Sequence, residues 1–261
     1  MPGYIRVTVP RTDAEMAALD CALGCPIRDR SGHDRGPDAI LFDMDGVLAD
    51  VHRSYRETIV QTCALFGIAV GQAEIGAAKR AGNANDDWAL THRILKEAGI
   101  KATLGEVTQC FEDIYQGTGE TPGLRRHETL IPTHEMLARL ARSGPLGIVT
   151  GRPRSDADCF LTEHNIGMYF SAVICREDAP LKPDPAPVQA ALDQLDARTA
   201  WLLGDTPDDV VAALGAGVVP IGVLSPGQNS GARRMARDAL MNAGAARIVD
   251  TGNDYGGLFD G

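Results

Sequence analysis

Two aspartates, Asp43 and Asp45, stand two residues apart at the end of the apolar run Ala39–Phe42, and Gly46 follows them. Carboxylates held this close raise each other's pKa unless a cation or a shared proton compensates. In open α/β sheets the strand ends form the edge at which ligands bind, and glycine lets the chain turn tightly there. The residues therefore indicate a cation-dependent or proton-transfer site, although a strand followed by a plain Asp-Gly turn explains them equally well.

Two further motifs supply groups that bind anions. Thr150 and Gly151 follow the apolar run 147–149, where a hydroxyl and backbone N–H groups can hold an anionic oxygen. Lys182 lies between prolines just before a predicted helix, and a cation fixed there would offset negative charge that builds up in a transition state. Taken alone, the first motif is typical of an ordinary turn and the second of a solvated loop lysine.

A fourth motif, residues 204–209, contains the predicted start of a helix and, before it, the acid Asp205. Thr206 suits an N-cap, Pro207 suits the first helical position, and the acids after them favour a helix N-terminus. Helix formation therefore explains Asp209 without a metal. It does not explain Asp205, which precedes the cap residue and stands at the end of an apolar run.

The order of these four motifs resembles that of the haloacid dehalogenase (HAD) superfamily, over residues 38 to about 225. With a helical insert after the first motif, the match is closest to the subfamily of phosphoglycolate phosphatases and β-phosphoglucomutases. The resemblance implies that Asp43 is a nucleophile that becomes an aspartyl phosphate and that Asp45 is the general acid and base. The residues implied to bind the transferred phosphoryl group are Thr150, Gly151 and Lys182.

The resemblance also implies Mg²⁺ as the cofactor, and carboxylates and waters are the ligands that this ion prefers. The implied ligands are Asp43, the backbone carbonyl of Asp45, Asp205 and Asp209, the last directly or through water. Asp45 further favours phosphoryl transfer over carbon–halogen cleavage, because members of the superfamily that cleave carbon–halogen bonds need neither a leaving-group acid nor Mg²⁺.

The implied function is a Mg²⁺-dependent phosphatase whose partner is a small phosphorylated metabolite, with phosphoglycolate and histidinol phosphate as candidates. Two alternatives stay open. One is a phosphomutase of the β-phosphoglucomutase type, which uses the same residues and returns the phosphoryl group to a sugar. The other is a non-catalytic relative that only binds a ligand.

The elements that must position these motifs follow from the pattern of the chain. From residue 38 onward, short apolar runs alternate with helical patterns, which predicts an α/β fold with a doubly wound, Rossmann-like parallel sheet. The predicted strands are 39–42, 146–149, 172–175, 200–203 and 219–224, and the predicted helices are 133–142, 155–164, 185–195 and 208–214. Between residues 52 and 131 only helical patterns occur, which predicts an inserted all-helical cap.

The predicted domains are an N-terminal strand–helix extension and linker (1–37), a catalytic core (38–51 and 132–261) and the helical cap (52–131). Residues 4–16 resemble the last strand and helix of a histidinol-phosphate aminotransferase small domain, which makes histidinol phosphate a candidate substrate. The side chains expected to contact the substrate are Arg53, Arg80, Asn83, Trp88, Arg93 and Arg152. The alternative for the cap residues is a helix–loop–helix corner around a buried tryptophan, and for Arg53 and Arg152 a place in the hinge.

The composition excludes some partners. A formal net charge of −10 argues against nucleic acid or an anionic membrane surface. No apolar run approaches the roughly 20 residues that span a bilayer, and no secretory signal pattern is visible, so a cytoplasmic protein is expected. The six cysteines are scattered, which predicts free thiols rather than a zinc site or disulfides. The oligomeric state does not follow from these features.

Overall fold

A parallel sheet forms the centre of the molecule in the computed structural model, which describes residues 27–28, 34–35, 37–119 and 121–250. In chain order the strands are β1 (Ile27–Arg28), β2 (Asp34–Arg35), β3 (Ala39–Phe42), β4 (Ala49–Asp50), β5 (Gly117–Thr118), β6 (Thr121–Pro122), β7 (Thr129–Leu130), β8 (Leu146–Val149), β9 (Phe170–Ile174), β10 (Ala200–Gly204), β11 (Val219–Val223) and β12 (Arg247–Val249). Six of them form the central sheet in the order β12-β11-β10-β3-β8-β9, and every neighbouring pair is parallel. The predicted doubly wound sheet is confirmed.

The strand β3 lies in the middle of this sheet, between β10 and β8. Its side chains alternate between two hydrophobic clusters: Ile40 and Phe42 pack in one, and Ala39 and Leu41 pack in the other. A strand that is covered on both faces must be apolar at every position. This is why an unbroken apolar run predicted the bounds of β3 and β8 correctly.

Nine α-helices occur in the part of the chain that the structure describes. They are α1 (Tyr55–Leu65), α2 (Gln72–Arg80), α3 (Asp87–Glu97), α4 (Leu104–Gln116), α5 (His134–Ser143), α6 (Arg154–Glu163), α7 (Ala186–Leu195), α8 (Pro207–Ala216) and α9 (Ser230–Ala243). The helices predicted at 133–142, 155–164, 185–195 and 208–214 are present as α5 to α8, with ends displaced by at most two residues. The start of α8 follows the predicted chemistry, with Thr206 as the N-cap and Pro207 as the first helical residue.

The helices α1 to α4 lie between β4 and β7 in the segment 52–131, which we call the cap. This segment also contains the short antiparallel pair β5–β6, so it is not all helical as predicted. The rings of Tyr55 on α1 and of Phe111 and Tyr115 on α4 pack together, with Tyr55 centred 5.8 Å from Phe111 and 4.2 Å from Tyr115. The two connections between cap and core lie side by side, because β4 pairs with β7 in antiparallel fashion. The cap is therefore joined to the sheet through a paired hinge, which the sequence did not predict.

Several further elements differ from expectation. The predicted linker contains the short antiparallel pair β1–β2. The strand and helix expected before residue 20 lie outside the described residues, as do Cys21 and Cys25. Helix α9 and strand β12 were not predicted, because α9 is rich in polar residues and β12 has only three residues.

Two expectations about chemistry and location bear on the described residues. Their four cysteines are free thiols, in agreement with the sequence: Cys63, Cys110, Cys159 and Cys175. No helix in the described part of the chain is long and apolar enough to cross a membrane.

Candidate active site

Three carboxylates meet at the carboxyl end of the central strands. Phe42 and Leu203 are paired in the parallel register of β3 and β10, so Asp43 and Asp205 emerge at the same edge of the sheet. Asp209, in the first turn of α8, joins them. One oxygen of each of the three side chains lies within 4.8 Å of the others. The first and fourth motifs, 162 residues apart in the chain, therefore form one acidic cluster.

The ammonium group of Lys182 bridges this cluster. Its Nζ lies 2.7 Å from Asp43 Oδ1 and 2.5 Å from Asp209 Oδ1, and it donates a third hydrogen bond of 2.9 Å to the carbonyl oxygen of Val149. Lys182 is buried, and burial lowers its pKa, but the two carboxylates outweigh this and hold the pKa above the usual value. The third motif thus supplies a permanent cation beside Asp43.

One ammonium does not compensate three carboxylates, of which Asp43 and Asp209 are buried and Asp205 is half-buried. Burial raises the pKa of Asp43 to about 8, with the charges of Asp209, Asp45 and Asp205 adding to the effect and Lys182 opposing it. Burial and Asp209 likewise raise the pKa of Asp205 to about 6. The cluster favours bound protons or a further cation.

Asp45 points away from the cluster and towards the second motif. Its Oδ1 lies 2.7 Å from Nε and 2.6 Å from Nη2 of Arg152. The backbone N–H of Arg152 in turn donates to the hydroxyl of Thr150, at 3.2 Å. The second motif therefore holds the side chain of Asp45 as well as presenting a hydroxyl.

The cap loop, which we define as residues 81–86, covers the site. The carboxylate of Asp208 accepts hydrogen bonds of 3.0 Å from the backbone N–H groups of Asn83 and Ala84. At the second motif, a Cβ on Gly151 would collide with the backbone carbonyl of Asn85. Glycine is thus required at position 151 for the close approach of the cap.

Two of the side chains expected to contact the substrate, those of Trp88 and Arg93, are hydrogen-bonded within the cap. Trp88 donates from Nε1 to Glu112 at 2.9 Å, and Arg93 donates to the carbonyl oxygen of Asn83 at 3.2 Å. Arg53 is exposed, while Arg80 lies beside Gly76 on its own helix. Trp88 is half-buried rather than buried, and a substrate role for these residues stays a prediction.

Three charged residues near the site are not among the candidates that the sequence predicts: Arg56, Lys79 and Asp87. Lys79 and Asp87 form an ion pair of 2.8 Å, and the charge of Asp45 acts on both of them. The charges of Arg56 and Lys79 lower the pKa of Asp205, against the larger effect of burial. No local signal identifies these residues, because charged side chains on a helix most often face solvent.

Gly46 makes the first motif possible, and replacing it tests the packing of the site. Its φ is +79°, and a Cβ there would lie 2.6 Å from Ser225 Oγ and closer still to Asp205 Oδ2. We expect Gly46→Ala to lose at least tenfold in kcat, because the methyl group displaces Asp205. Gly99→Ala is the matched control, since Gly99 has a φ of +81° and open space around it. Equal activity of the two variants would contradict the prediction, and thermal unfolding of both separates backbone strain from the collision.

Known proteins resemble this chain in sequence and in fold. A family model described as haloacid dehalogenase-like hydrolase matches residues 37–217. A phosphoglycolate phosphatase from Pectobacterium atrosepticum is 30% identical over 200 residues, which cover 74% of this chain and 82% of that protein. An imidazoleglycerol-phosphate dehydratase from Phytophthora nicotianae is 47% identical over 196 residues, and the match spans 72% of this chain but only 43% of the Phytophthora protein. A haloacid dehalogenase-like family hydrolase from Streptococcus pneumoniae superimposes with a TM-score of 0.66 at 20% identity, over 86% of this chain and 99% of the other.

The chain therefore belongs to the haloacid dehalogenase-like hydrolases. Within that family it groups with the phosphoglycolate phosphatases, and it is an enzyme of the phosphatase type.

Proposed function

We propose that this protein is a Mg²⁺-dependent phosphatase that hydrolyses a small-molecule phosphomonoester through an aspartyl phosphate on Asp43. The observation that carries the proposal is the position of Asp43 at the end of β3. Its carboxylate is 2.7 Å from the buried ammonium of Lys182 and within a cluster of three acids. A carboxylate nucleophile beside a fixed cation splits one difficult displacement into two easier steps.

The acidic cluster fits a magnesium ion. Lys182 donates to Oδ1 of Asp43, and Ser225 donates to Oδ2 of Asp205. The remaining oxygen of each carboxylate receives no hydrogen bond from the described residues. Asp209 differs, since Lys182 occupies its Oδ1 while the N–H and hydroxyl of Thr206 occupy its Oδ2. Asp43 and Asp205 would therefore hold the ion directly and Asp209 through water. When bound, Mg²⁺ neutralises charge on the phosphoryl oxygens.

The protein's own residues divide the reaction into two balanced steps. In the first, a bond forms between Asp43 Oδ and phosphorus while the ester P–O bond breaks, and the leaving oxygen takes a proton from Asp45. In the second, water attacks phosphorus, its proton passes to Asp45, and the bond to Asp43 breaks to regenerate the carboxylate. The charge of Lys182 offsets the negative charge of the phosphoryl group, and the hydroxyl of Thr150 donates to one of its oxygens.

The charges on the cap side bear on the choice of ester. Two cations, Arg56 and Lys79, and one anion, Asp87, lie near Asp45 and Asp205. Asp87 is already paired with Lys79, whereas Arg56 forms no ion pair within the described part of the chain. The surplus positive charge favours a leaving group with its own anionic substituent, such as the carboxylate of phosphoglycolate. An imidazole-bearing ester such as histidinol phosphate is the second candidate. The Phytophthora relative is named after an imidazole-bearing phosphate ester, imidazoleglycerol phosphate.

A panel of phosphate esters tests the proposal. Phosphoglycolate, histidinol phosphate and glucose 1-phosphate are each incubated with the protein and Mg²⁺, and inorganic phosphate is measured with and without EDTA. We expect Mg²⁺-dependent release that is fastest with phosphoglycolate. Release that EDTA leaves unchanged would contradict the metal requirement. Conversion of glucose 1-phosphate to another sugar phosphate without phosphate release would identify a mutase instead.

A further inference from the structure

The guanidinium group of Arg152 is completely enclosed between core and cap. Only 2% of the residue is exposed, and each of its three nitrogens lies within 3 Å of a carboxylate oxygen. Nε and Nη2 lie 2.7 and 2.6 Å from Asp45 Oδ1, while Nη1 donates to Glu128 Oε2 at 2.9 Å. The faces of Tyr55 and Phe160 cover the group, with ring centroids 4.9 and 5.4 Å from Cζ. Arg152 is therefore enclosed by protein groups rather than open to a substrate, and its Nη2 contacts Asp45 as an ion pair without forming a hydrogen bond.

The second partner of Arg152 is fixed to the hinge. Glu128 immediately precedes β7, the connection that returns from the cap. Its Oε1 accepts hydrogen bonds from Ser54 Oγ at 2.8 Å and from the hydroxyl of Tyr115 at 3.1 Å. Ser54 stands just before α1, where the chain enters the cap, and Tyr115 lies on the last cap helix. Glu128 thus binds the segments at both ends of the cap.

In this arrangement the guanidinium group of Arg152 has two roles. It compensates the charges of two carboxylates, and it places Asp45 at a fixed distance from the hinge. The guanidinium binds only Oδ1 of Asp45, so no partner among the described residues occupies Oδ2. A general acid or base must lie within hydrogen-bond reach of the atom that it serves, so a fixed orientation of its carboxylate matters directly to rate.

We infer that Arg152 is a positioning residue, which holds Asp45 so that its Oδ2 exchanges protons with the leaving group and with water, and which Glu128 anchors to the cap hinge. The inference rests on the proposed phosphatase function. It replaces the expectation that Arg152 contacts the substrate. Because Arg152 acts through Asp45, its loss should impair the steps that move a proton and spare formation of the phosphorus bond to Asp43.

A leaving group that needs no proton separates these effects. The p-nitrophenolate ion departs from phosphorus unprotonated, whereas an alkoxide, as from phosphoglycolate, requires the proton from Asp45. With Arg152→Gln, we expect the rapid release of one equivalent of p-nitrophenolate to keep its wild-type rate. The rate of the slow phase that follows should fall about 100-fold, and so should kcat for the best alkyl ester of the panel. A loss of this size lies in the range that acid–base catalysis contributes. KM should change less than threefold.

Two variants show whether the effect belongs to this ion-pair chain. Glu128→Gln keeps the shape of the anchor and removes its charge, so we expect a smaller loss in kcat with the same dependence on the leaving group. Arg176→Gln is the matched control, because Arg176 also joins core to cap, through Asp86 at 2.8 Å and the face of Trp88, without touching Asp45. It should affect both esters equally.

The outcomes are distinguishable. If the wild type gives no burst and releases no phosphate from any ester, the proposed function fails and this inference fails with it. If the wild type shows the burst and Arg152→Gln slows both phases equally or neither, only the positioning role is overturned. Thermal unfolding of each variant reveals loss of folding, and Arg152→Lys then serves as the conservative replacement, with partial recovery of kcat expected.

Discussion

Asp43→Asn is expected to release phosphate at least on the order of 10⁴-fold more slowly than the wild type, because loss of a catalytic nucleophile removes the whole covalent route. An amide is not a nucleophile towards phosphorus, yet its carbonyl oxygen can still accept the hydrogen bond from Lys182. The substitution also removes one buried carboxylate whose pKa is raised to about 8. We therefore expect the variant to keep its thermal stability in EDTA while it loses activity.

The measurement is phosphate release with the best ester of the panel, together with trapping of the phosphoenzyme by acid quench and detection of an 80 Da adduct on the peptide that contains Asp43. Asp196→Asn is the matched control, since Asp196 is exposed and has a left-handed conformation that asparagine tolerates. Wild-type turnover by the Asp43→Asn protein, or an adduct on another peptide, would refute the assignment of Asp43 as the nucleophile.

The second large effect concerns Lys182. Replacing it by methionine keeps the length of the side chain but leaves Asp43 and Asp209 without their shared cation. Breaking a buried ion pair by removing one partner costs roughly 3–5 kcal/mol, and we expect a loss of free energy of unfolding in this range in EDTA. Activity should also be lost, because the charge on the transferred phosphoryl group is no longer compensated.

A double variant and a surface control make this prediction specific. Lys182→Met combined with Asp43→Asn should recover part of the lost stability, since one of the two uncompensated charges is then absent. Lys101→Met, at an exposed position, should leave stability and activity near wild type. Urea unfolding in EDTA gives the free energy of unfolding of the wild type, Lys182→Met, the double variant and Lys101→Met. No recovery in the double variant would show that Lys182 stabilises the fold by packing rather than by charge.

The sequence predicted the core of the site because its parts are local. Each strand of the central sheet is a short apolar run, and the polar residue after it stands at the edge where parallel strands end. Asp43 and Asp205 follow β3 and β10, so strand pairing alone brings them together. The start of α8 was equally readable, because Thr206 and Pro207 have strong positional preferences at a helix N-terminus.

The contacts between cap and core could not be predicted in this way. Arg152 binds Asp45 across 107 positions, and Asp208 binds the backbone of Asn83 across 125. Each side chain had another explanation in the sequence, a hinge or substrate contact for the arginine and a helix N-terminus for the aspartate. A local explanation cannot show that a second partner arrives from an inserted domain.

By itself, then, the sequence determined the strand ends, the order of the motifs and the acids that must share one edge of the sheet, because these depend on local periodicity and on the parallel connection of strands. The tertiary structure alone decided what surrounds those acids: Lys182 between two carboxylates, Arg152 between Asp45 and the hinge, and the cap loop held by Asp208. The reason is physical. A buried charge takes whichever opposite charge the packing brings within reach, and that choice depends on how the cap closes over the sheet rather than on any pattern along the chain.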